Sequence, residues 1–194
     1  MSRGKDCRLA IFLPSLRGGG AERVMMNLAN GFAGKGLSVD LVLVKAEGAY
    51  LKRVPDNVRV VDLDAGRMAR SLPALVRYLR SERPDALLSA MNHANIIALW
   101  ACSLAGVPTR VTISEHNNLS ASMQNVPSRR ARFMPWLMRC FYPLADGIVA
   151  VSKGVADDLA SAIRMPRERI TVIYNPVVTP ELLQRAQEPL DHPW

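Results

Sequence analysis

Three consecutive glycines, Gly18-Gly19-Gly20, lie between the apolar run Leu9-Ala10-Ile11-Phe12-Leu13 and a segment of helical period, with Pro14-Ser15-Leu16-Arg17 intervening. Glycines at a helix entrance leave backbone N–H groups bare and let a ligand come close to the main chain. The helix dipole adds partial positive charge there, so the guest that fits is a phosphate or another anion. A plain strand-to-helix turn needs only two glycines. The third, followed at once by Glu22 and Arg23, marks the stretch as a site.

A second polar cluster, Ser114-Glu115-His116-Asn117-Asn118, follows directly on the apolar segment from Arg110. A histidine there can take or give a proton near neutral pH. His116 reads either as that group or as a histidine that hydrogen-bonds its own loop. Its place beside a carboxylate, in the same row of strand ends as the glycines, favours the first. Ser89 and Met91-Asn92-His93, Ser152-Lys153 and Asn175 also fall at predicted strand ends, where an open parallel sheet binds ligands. His93 serves equally well as a residue that starts a helix.

Other motifs fail. The dinucleotide fingerprint needs a glycine where Arg23 stands, and its turn should follow the strand without four intervening residues. No phosphate loop ending in Gly-Lys-Ser/Thr is present. Asp62-Leu63-Asp64 ends an alternating strand and is not read as a metal site; no metal and no cofactor are expected. Ser114 and His116 lack the glycine-flanked elbow of a hydrolase pair. Cys7, Cys102 and Cys140 are widely spaced and read as buried thiols.

These groups need elements to hold them. Ala21, Val24, Met25, Leu28, Ala29 and Phe32 make one helical face, Glu22, Arg23, Asn27 and Asn30 face away, and Gly34 and Gly36 supply the stop. Strands follow at Leu37–Val44, Val58–Leu63, Ala86–Ala90, Arg110–Ser114, Gly147–Val151 and Ile170–Tyr174. Between them lie a polar loop (Lys45 to Asn57) and a helix with Met68, Leu72, Leu75, Val76 and Leu79 inward, closed by Arg83-Pro84. A further helix is capped by Asn92, and another, begun by Ser152, carries Val155, Leu159 and Ile163. Asn117 to Pro127 reads as a long irregular segment, ahead of a helix from Ser128 to Leu144 that Pro135 bends or begins. Strands too apolar for an exposed face, alternating with helices, predict an α/β, Rossmann-like three-layer sandwich with a mostly parallel sheet of about seven strands. With 194 residues, 49% of them hydrophobic, one domain is expected, over residues 1–178, with 179–194 a tail that begins a linker.

The formal charge is +8. That excess points to an anionic partner without choosing among nucleic acid, nucleotide and acidic lipid. No apolar run reaches the ~20 residues of a membrane span, and no leader is recognised, so a cytoplasmic protein is expected. Between His116 and Ala145 there is no acidic residue, while Arg129, Arg130, Arg132 and Arg139 are present. Phe133, Trp136, Leu137, Cys140, Phe141 and Leu144 share a helical face there. Two readings stay open: that face packs on the sheet with an arginine flank in solvent, or basic residues beside Trp136 and Met134 lean on anionic lipid.

Four segments together resemble a known family. Ser15-Leu16-Arg17-Gly18-Gly19-Gly20-Ala21-Glu22-Arg23 is similar to the amino-terminal domain of the retaining glycosyltransferases of family 4, which have the two-domain GT-B fold. Ile113-Ser114-Glu115-His116-Asn117-Asn118 resembles their acceptor-side histidine segment. Ala145 to Val155 resembles a strand and helix start of the family, and Ile170 to Val177 the approach to its hinge. The Gly-Gly-Ala-Glu-Arg and Glu-His pair is similar to bacterial enzymes that extend glycans on undecaprenyl diphosphate.

The resemblance implies a sugar transfer from a nucleotide-sugar, UDP-linked, to a lipid-linked or polysaccharide acceptor in bacterial envelope glycan synthesis, with no nucleic-acid partner. It implies that Gly18, Gly19, Gly20, Glu22 and Arg23 lie beside the donor diphosphate and acceptor, and that His116 is catalytic. On the acceptor side it implies Asn92, His93, Glu115, Asn117, Arg67, Arg70 and Arg77; nearer the donor, Ser152, Lys153 and Asn175. The family holds the nucleotide-sugar through a second, carboxy-terminal domain with two glutamates separated by seven residues. Glu181 and Glu188, with six between them, do not match. The expectation is therefore an acceptor-side half, inactive alone, peripheral at the inner membrane face. The rival readings are a module that binds an anionic lipid or nucleotide without turning it over, and a nicotinamide oxidoreductase, which the failed fingerprint weakens.

Overall fold

The computed structural model describes residues 7–124, 129–178 and 180–187. Seven strands, β1 (Arg8–Leu13), β2 (Ser38–Leu43), β3 (Val58–Asp62), β4 (Ala86–Ala90), β5 (Arg110–Glu115), β6 (Gly147–Ala150) and β7 (Ile170–Val172), form one sheet in the order β3-β2-β1-β4-β5-β6-β7. Every pairing is parallel. The helices are α1 (Gly20–Gly34), α2 (Ser71–Glu82), α3 (Asn92–Ala105), α4 (Leu119–Gln124), α5 (Arg129–Phe141), α6 (Lys153–Ile163) and α7 (Pro180–Arg185). The expected sandwich is present, with the strand order reversing between β1 and β4.

The reversal decides which helices cover which face. β2 and β3 are joined by a loop with one 3₁₀ turn, Leu51–Arg53, so α1 is the principal cover of its side. Its Met25 and Ala29 pack on Ile11, Leu13, Leu41 and Leu43. The opposite face is covered by α2 and α3 over β1, β2 and β4, and by α3, α5 and α6 over β5 to β7. Strand alternation supplies both sets: Ala10 and Phe12 meet α2 and α3, while Leu9 and Ile11 face α1. Beyond the reach of α1, none of the described helices covers the same face at β4 to β6. There Leu88, Thr112 and Val149 floor an apolar groove of about 290 Å³.

Helix ends follow local chemistry. Ser152 caps α6, its Oγ accepting from the Val155 N–H at 3.1 Å. Arg83 ends α2 in the left-handed region ahead of Pro84. Asn92, expected as a cap, is instead the first residue of α3, and Met91 holds the cap position at φ +79°. The stretch expected to be irregular contains the short helix α4 up to Gln124. Helix α5 runs through Pro135. It turns Met138, and the 3₁₀ turn after it turns Tyr142, into the core, while Phe133, Trp136, Cys140 and Leu144 of the expected packing face are exposed. Cys7 is exposed too and Cys102 half-buried, so the thiols are not the buried set expected. The side chains of Arg129, Arg130 and Arg132, and the tail from residue 188, lie outside the described residues.

A buried carboxylate ties the amino-terminal ends of the strands together. Asp40 of β2, 3% exposed, accepts from Arg59 of β3 at 2.8 and 2.6 Å and from the Tyr78 hydroxyl of α2 at 2.6 Å. Arg59 also meets Glu82, and so does Arg8 of β1. Burial works against the Asp40 charge, but the Arg59 and Tyr78 hydrogen bonds outweigh it and hold the group below its ordinary pKa. Tyr78→Phe removes one donor from this carboxylate and is expected to cost about 1.5–3 kcal/mol, the range for a hydrogen bond to a charged group. Urea denaturation measures it; a loss under about 0.5 kcal/mol would show Arg59 alone satisfies Asp40.

Candidate functional site

At the carboxyl ends of the strands, where the order reverses, lies a cleft of about 620 Å³. One wall is the first two turns of α1, with Gly19, Gly20, Ala21, Arg23 and Asn27. Met91 after β4 and His116 and Asn117 after β5 form another, and Asn175, Val177 and Leu182 close the third. The cleft adjoins the apolar groove, sharing Val24, His116 and Asn175 with it.

The glycine loop is built differently from the expected bare cradle. Glu22, expected to face solvent, is 7% exposed and folds back into the loop. Its Oε2 accepts from the N–H groups of Gly18 at 2.6 Å and Gly19 at 2.9 Å, and Ser15 Oγ stands 3.5 Å from Oε1. The loop therefore carries its own internal anion. The carboxylate sits three residues after the N-cap Gly19, as in one half of a capping box. Gly18, at φ +126°, suits only glycine. The N–H groups of Gly20, Ala21 and Glu22 have no partner within the helix ladder and stand at the positive end of α1. A Cβ on Gly20 would meet nothing within 4 Å.

A brace that sequence reasoning missed holds this loop from behind. Leu16 N–H donates to Glu47 O at 2.9 Å, Tyr50 N–H to Leu16 O at 3.1 Å, and Arg17 pairs with Glu47 at 2.6 Å. Gly48, at φ +118°, lies so close that a Cβ would fall 2.1 Å from Leu16 O. A single glycine in a polar loop carried no signal of that approach. Asn27, expected on the outward face of its helix, was missed as well, while Met91 lies at the strand end where it is expected. Asn27 Nδ2 donates to Pro176 O at 3.4 Å and ties the α1 wall to the Asn175 segment.

His116 and Glu115 part company. Alternation along β5 sends Val111, Ile113 and Glu115 to the helix-covered face and Thr112 and Ser114 to the groove, with His116 following on the groove side. His116 Nε2 lies 3.1 Å from Ser114 Oγ, and burial lowers its pKa, so the ring is neutral at pH 7. A neutral imidazole has one donor and one acceptor nitrogen; Ser114 Oγ engages Nε2, which leaves Nδ1 for the cleft. Glu115, expected on the acceptor side, is instead 4% exposed in the core. It accepts from the Tyr142 hydroxyl and from Asn95 Nδ2 at 2.9 Å, and Asn95 Nδ2 also reaches Ser114 O at 3.2 Å. Its role is to fix the strand end on which His116 follows.

Of the remaining expected residues, Gly18 and Glu22 act from behind the cleft wall. Asn175 lies in the wall. Asn92 and His93 do not line the cleft, although their neighbour Met91 does. Arg67 borders a separate polar pocket of about 220 Å³ with Ser15, Arg17 and Lys45; Arg70 and Arg77 are exposed and border none of the three cavities. Ser152 is engaged as a helix cap, and Lys153 points to solvent outside the cleft. Asp62, set aside as a metal ligand, accepts from the Asp64 N–H at 2.9 Å in a tight turn.

This is an α/β domain with an anion-suited cleft at the switch point of a parallel sheet. The profile of Glycosyltransferase Family 4 matches residues 18–180, and the chain belongs to that family. Among curated proteins it is 28% identical, over 93% of its length, to the N-acetylgalactosamine-N,N'-diacetylbacillosaminyl-diphospho-undecaprenol 4-alpha-N-acetylgalactosaminyltransferase of Campylobacter jejuni. Among solved structures it resembles the lipopolysaccharide outer core galactosyltransferase WaaB (TM-score 0.66, 18% identity, 88% of this chain and 46% of that one). It also resembles Anabaena Alr3699/HepE in complex with UDP and glucose (TM-score 0.66, 19% identity, 92% and 50%). These likenesses give the fold: one Rossmann-like half of a GT-B architecture. The chain spans about half the length of the relatives it matches.

Burial raises the Glu115 pKa from 4.5 to about 7, against the hydrogen bonds from Tyr142 and Asn95, which lower it. The folded chain then keeps a proton that the unfolded chain gives up from pH 4.5 upward. The Glu115 contribution to stability is fully present below pH 4.5 and is lost as pH rises to about 7, by an amount on the order of 3 kcal/mol. Glu115→Gln, neutral throughout, should flatten this slope and be the more stable form at pH 8. Urea denaturation of both forms at pH 5 and pH 8 measures it; equal slopes would show that Glu115 is ionised in the folded chain.

Proposed function

We propose that this domain is the acceptor-side half of an enzyme that moves a sugar from a UDP-linked donor to a lipid-linked or polysaccharide acceptor in bacterial envelope glycan synthesis. Family membership supports the reaction class. The Campylobacter relative, named for transfer to an undecaprenol-diphosphate glycan, supports the acceptor class, and the Anabaena structure with UDP and glucose supports the donor. The observation that carries the reading is the cleft that brings the α1 amino terminus and His116 together.

In this reading the free N–H groups of the first turn of α1 and the α1 dipole stabilise the diphosphate as negative charge develops on it. Gly20 keeps that approach open, and Glu22 holds the loop rigid so that little reorganisation is needed. His116 hydrogen-bonds the transferred sugar and handles a proton there. Residues 1–178 form the domain and 179–194 lead to a second one, which holds the nucleotide; the open groove at β4 to β6 is where that second domain gains apolar cover. The enzyme works in the cytoplasm, at the inner face of the membrane.

The test is sugar transfer by the enzyme that joins this domain to a donor-binding partner domain. His116→Ala should lower turnover by about 10²–10⁴-fold, the span for losing a proton-transfer group, with an unchanged melting temperature. Gly20→Val, which adds a side chain to open space, should block transfer while the fold persists. An unstable but active His116→Ala enzyme would leave the histidine structural. The domain alone should bind UDP-sugars no better than about millimolar; micromolar binding in calorimetry would favour a self-sufficient binding module.

A further inference from the structure

Helix α5 and the turn after it are apolar on two sides. One side, Met138 and Tyr142, is fully buried, and Phe141 stacks edge-on against Trp100 of α3. The other bears Phe133 at 63%, Trp136 at 61% and Leu144 at 58% exposure, with exposed Cys140 between the last two. The spacings of three, four and four residues draw these into one stripe. A surface helix of a globular domain carries polar residues on that side, and rows of exposed aromatic residues mark a surface that meets something.

We propose that this stripe is a membrane-docking surface that rests on an anionic lipid bilayer. Charge complementarity selects this occupant. From Asn117 to Leu144 the sequence has four arginines and no aspartate or glutamate, and Arg139, on α5 itself, is exposed. Basic residues attract acidic headgroups while Trp and Phe enter the interface, where amphipathic rings are most at home. A second apolar surface among the described residues makes the contrast. The groove at β4 to β6 is concave and has no charged residue in its lining, which suits a protein cover. The α5 stripe lies on the outside of a helix, on the opposite side of the sheet, with arginine beside it.

Docking here also bears on the site. Tyr142, at the end of the stripe's own segment, donates to Glu115, the residue before His116. A bilayer under α5 is thereby tied to a fixed position of the strand end that forms one cleft wall. The inference rests on the transfer reading only for its purpose, reaching an acceptor carried in the membrane. Lipid binding is measured with no sugar or nucleotide present, so either reading can fail without the other.

The experiment is cosedimentation of the 194-residue chain with phosphatidylcholine vesicles, with and without phosphatidylglycerol. Binding is expected only with phosphatidylglycerol, with release as salt shortens the ~10 Å screening length of 0.1 M toward 3 Å at 1 M. The double variant Phe133→Ser, Trp136→Ser should bind at least about 10-fold more weakly, since each ring is worth that much when taken out of water. Its melting temperature should be unchanged, because neither ring packs in the core. A polarity-sensitive thiol probe on Cys140, in a Cys7→Ser chain that keeps both rings, should shift to the blue on the same vesicles; the Cys102 thiol, which burial pushes up to about 12, stays unlabelled. Equal binding to neutral vesicles, an unshifted probe, or a double variant that binds like the parent would overturn the proposal. So would a dimer in sedimentation velocity that the double variant abolishes, for then a second copy covers the stripe.

Discussion

An all-parallel sheet has no face that tolerates water, because its crossovers and its apolar strands presume cover on both sides. The order β3-β2-β1-β4-β5-β6-β7 meets that demand unevenly. Four helices crowd one face, and one helix, α1, serves most of the other. The cleft lies where the two halves diverge, since the chain leaves β1 toward α1 and leaves β4 toward α3 on the opposite side. What the fold leaves unfilled at that point is the space a ligand can use. Among the described residues the same asymmetry leaves β4 to β6 without a helix beside it, so the site and the groove have a common origin and share His116 and Asn175.

Within that frame, two carboxylates do opposite jobs by the same means. Glu22 enters the glycine loop as an anion and spends the N–H groups of Gly18 and Gly19 on itself, so the loop is set before any ligand arrives. What remains for a ligand is the first turn of α1. Glu115 enters the core beneath the other wall, where burial and two donors pull its proton affinity in different directions. It anchors β5 to α3 and to the turn after α5, leaving His116 as the one imidazole in the cleft lining among the described residues. Neither carboxylate faces the cleft, and both decide its shape.

Much of this was legible in the sequence because it rests on local rules. The apolar run before the glycines, the helical period after them, the Ser152 cap and the Arg83-Pro84 stop are all short-range signals, and all hold in the structure. The misreadings have short-range causes too. Helical spacing put Glu22 with the polar face, yet a glutamate three residues after an N-cap has a second option, to turn back on the cap. The cluster Ser114 to Asn118 looks like one polar patch by composition, although period-two alternation from Val111 and Ile113 assigns Glu115 to the core. Gly48 was silent because what requires it, the approach of Leu16 O, involves a residue far away in sequence. Asn92 missed the cap by one position because Met91 takes the positive φ.

Helix α5 was ambiguous for a deeper reason. Periodicity finds an apolar stripe by its contrast with a polar one, and this helix has two apolar stripes side by side. Either assignment of inside and outside satisfies the pattern. Only packing against Ile96, Leu99 and Ile148 decides that Met138 and Tyr142 go in. Once they do, Phe133 and Trp136 must point out, since a helix cannot bury both sides against a single sheet. A sequence that keeps aromatic residues on the side its own fold excludes from the core has placed them for something other than the core. On the groove side the same logic runs without charge, and on the α5 side with arginine. The chemistry that separates a protein cover from a lipid surface is thus written in the polar neighbours of each patch, not in the apolar residues themselves.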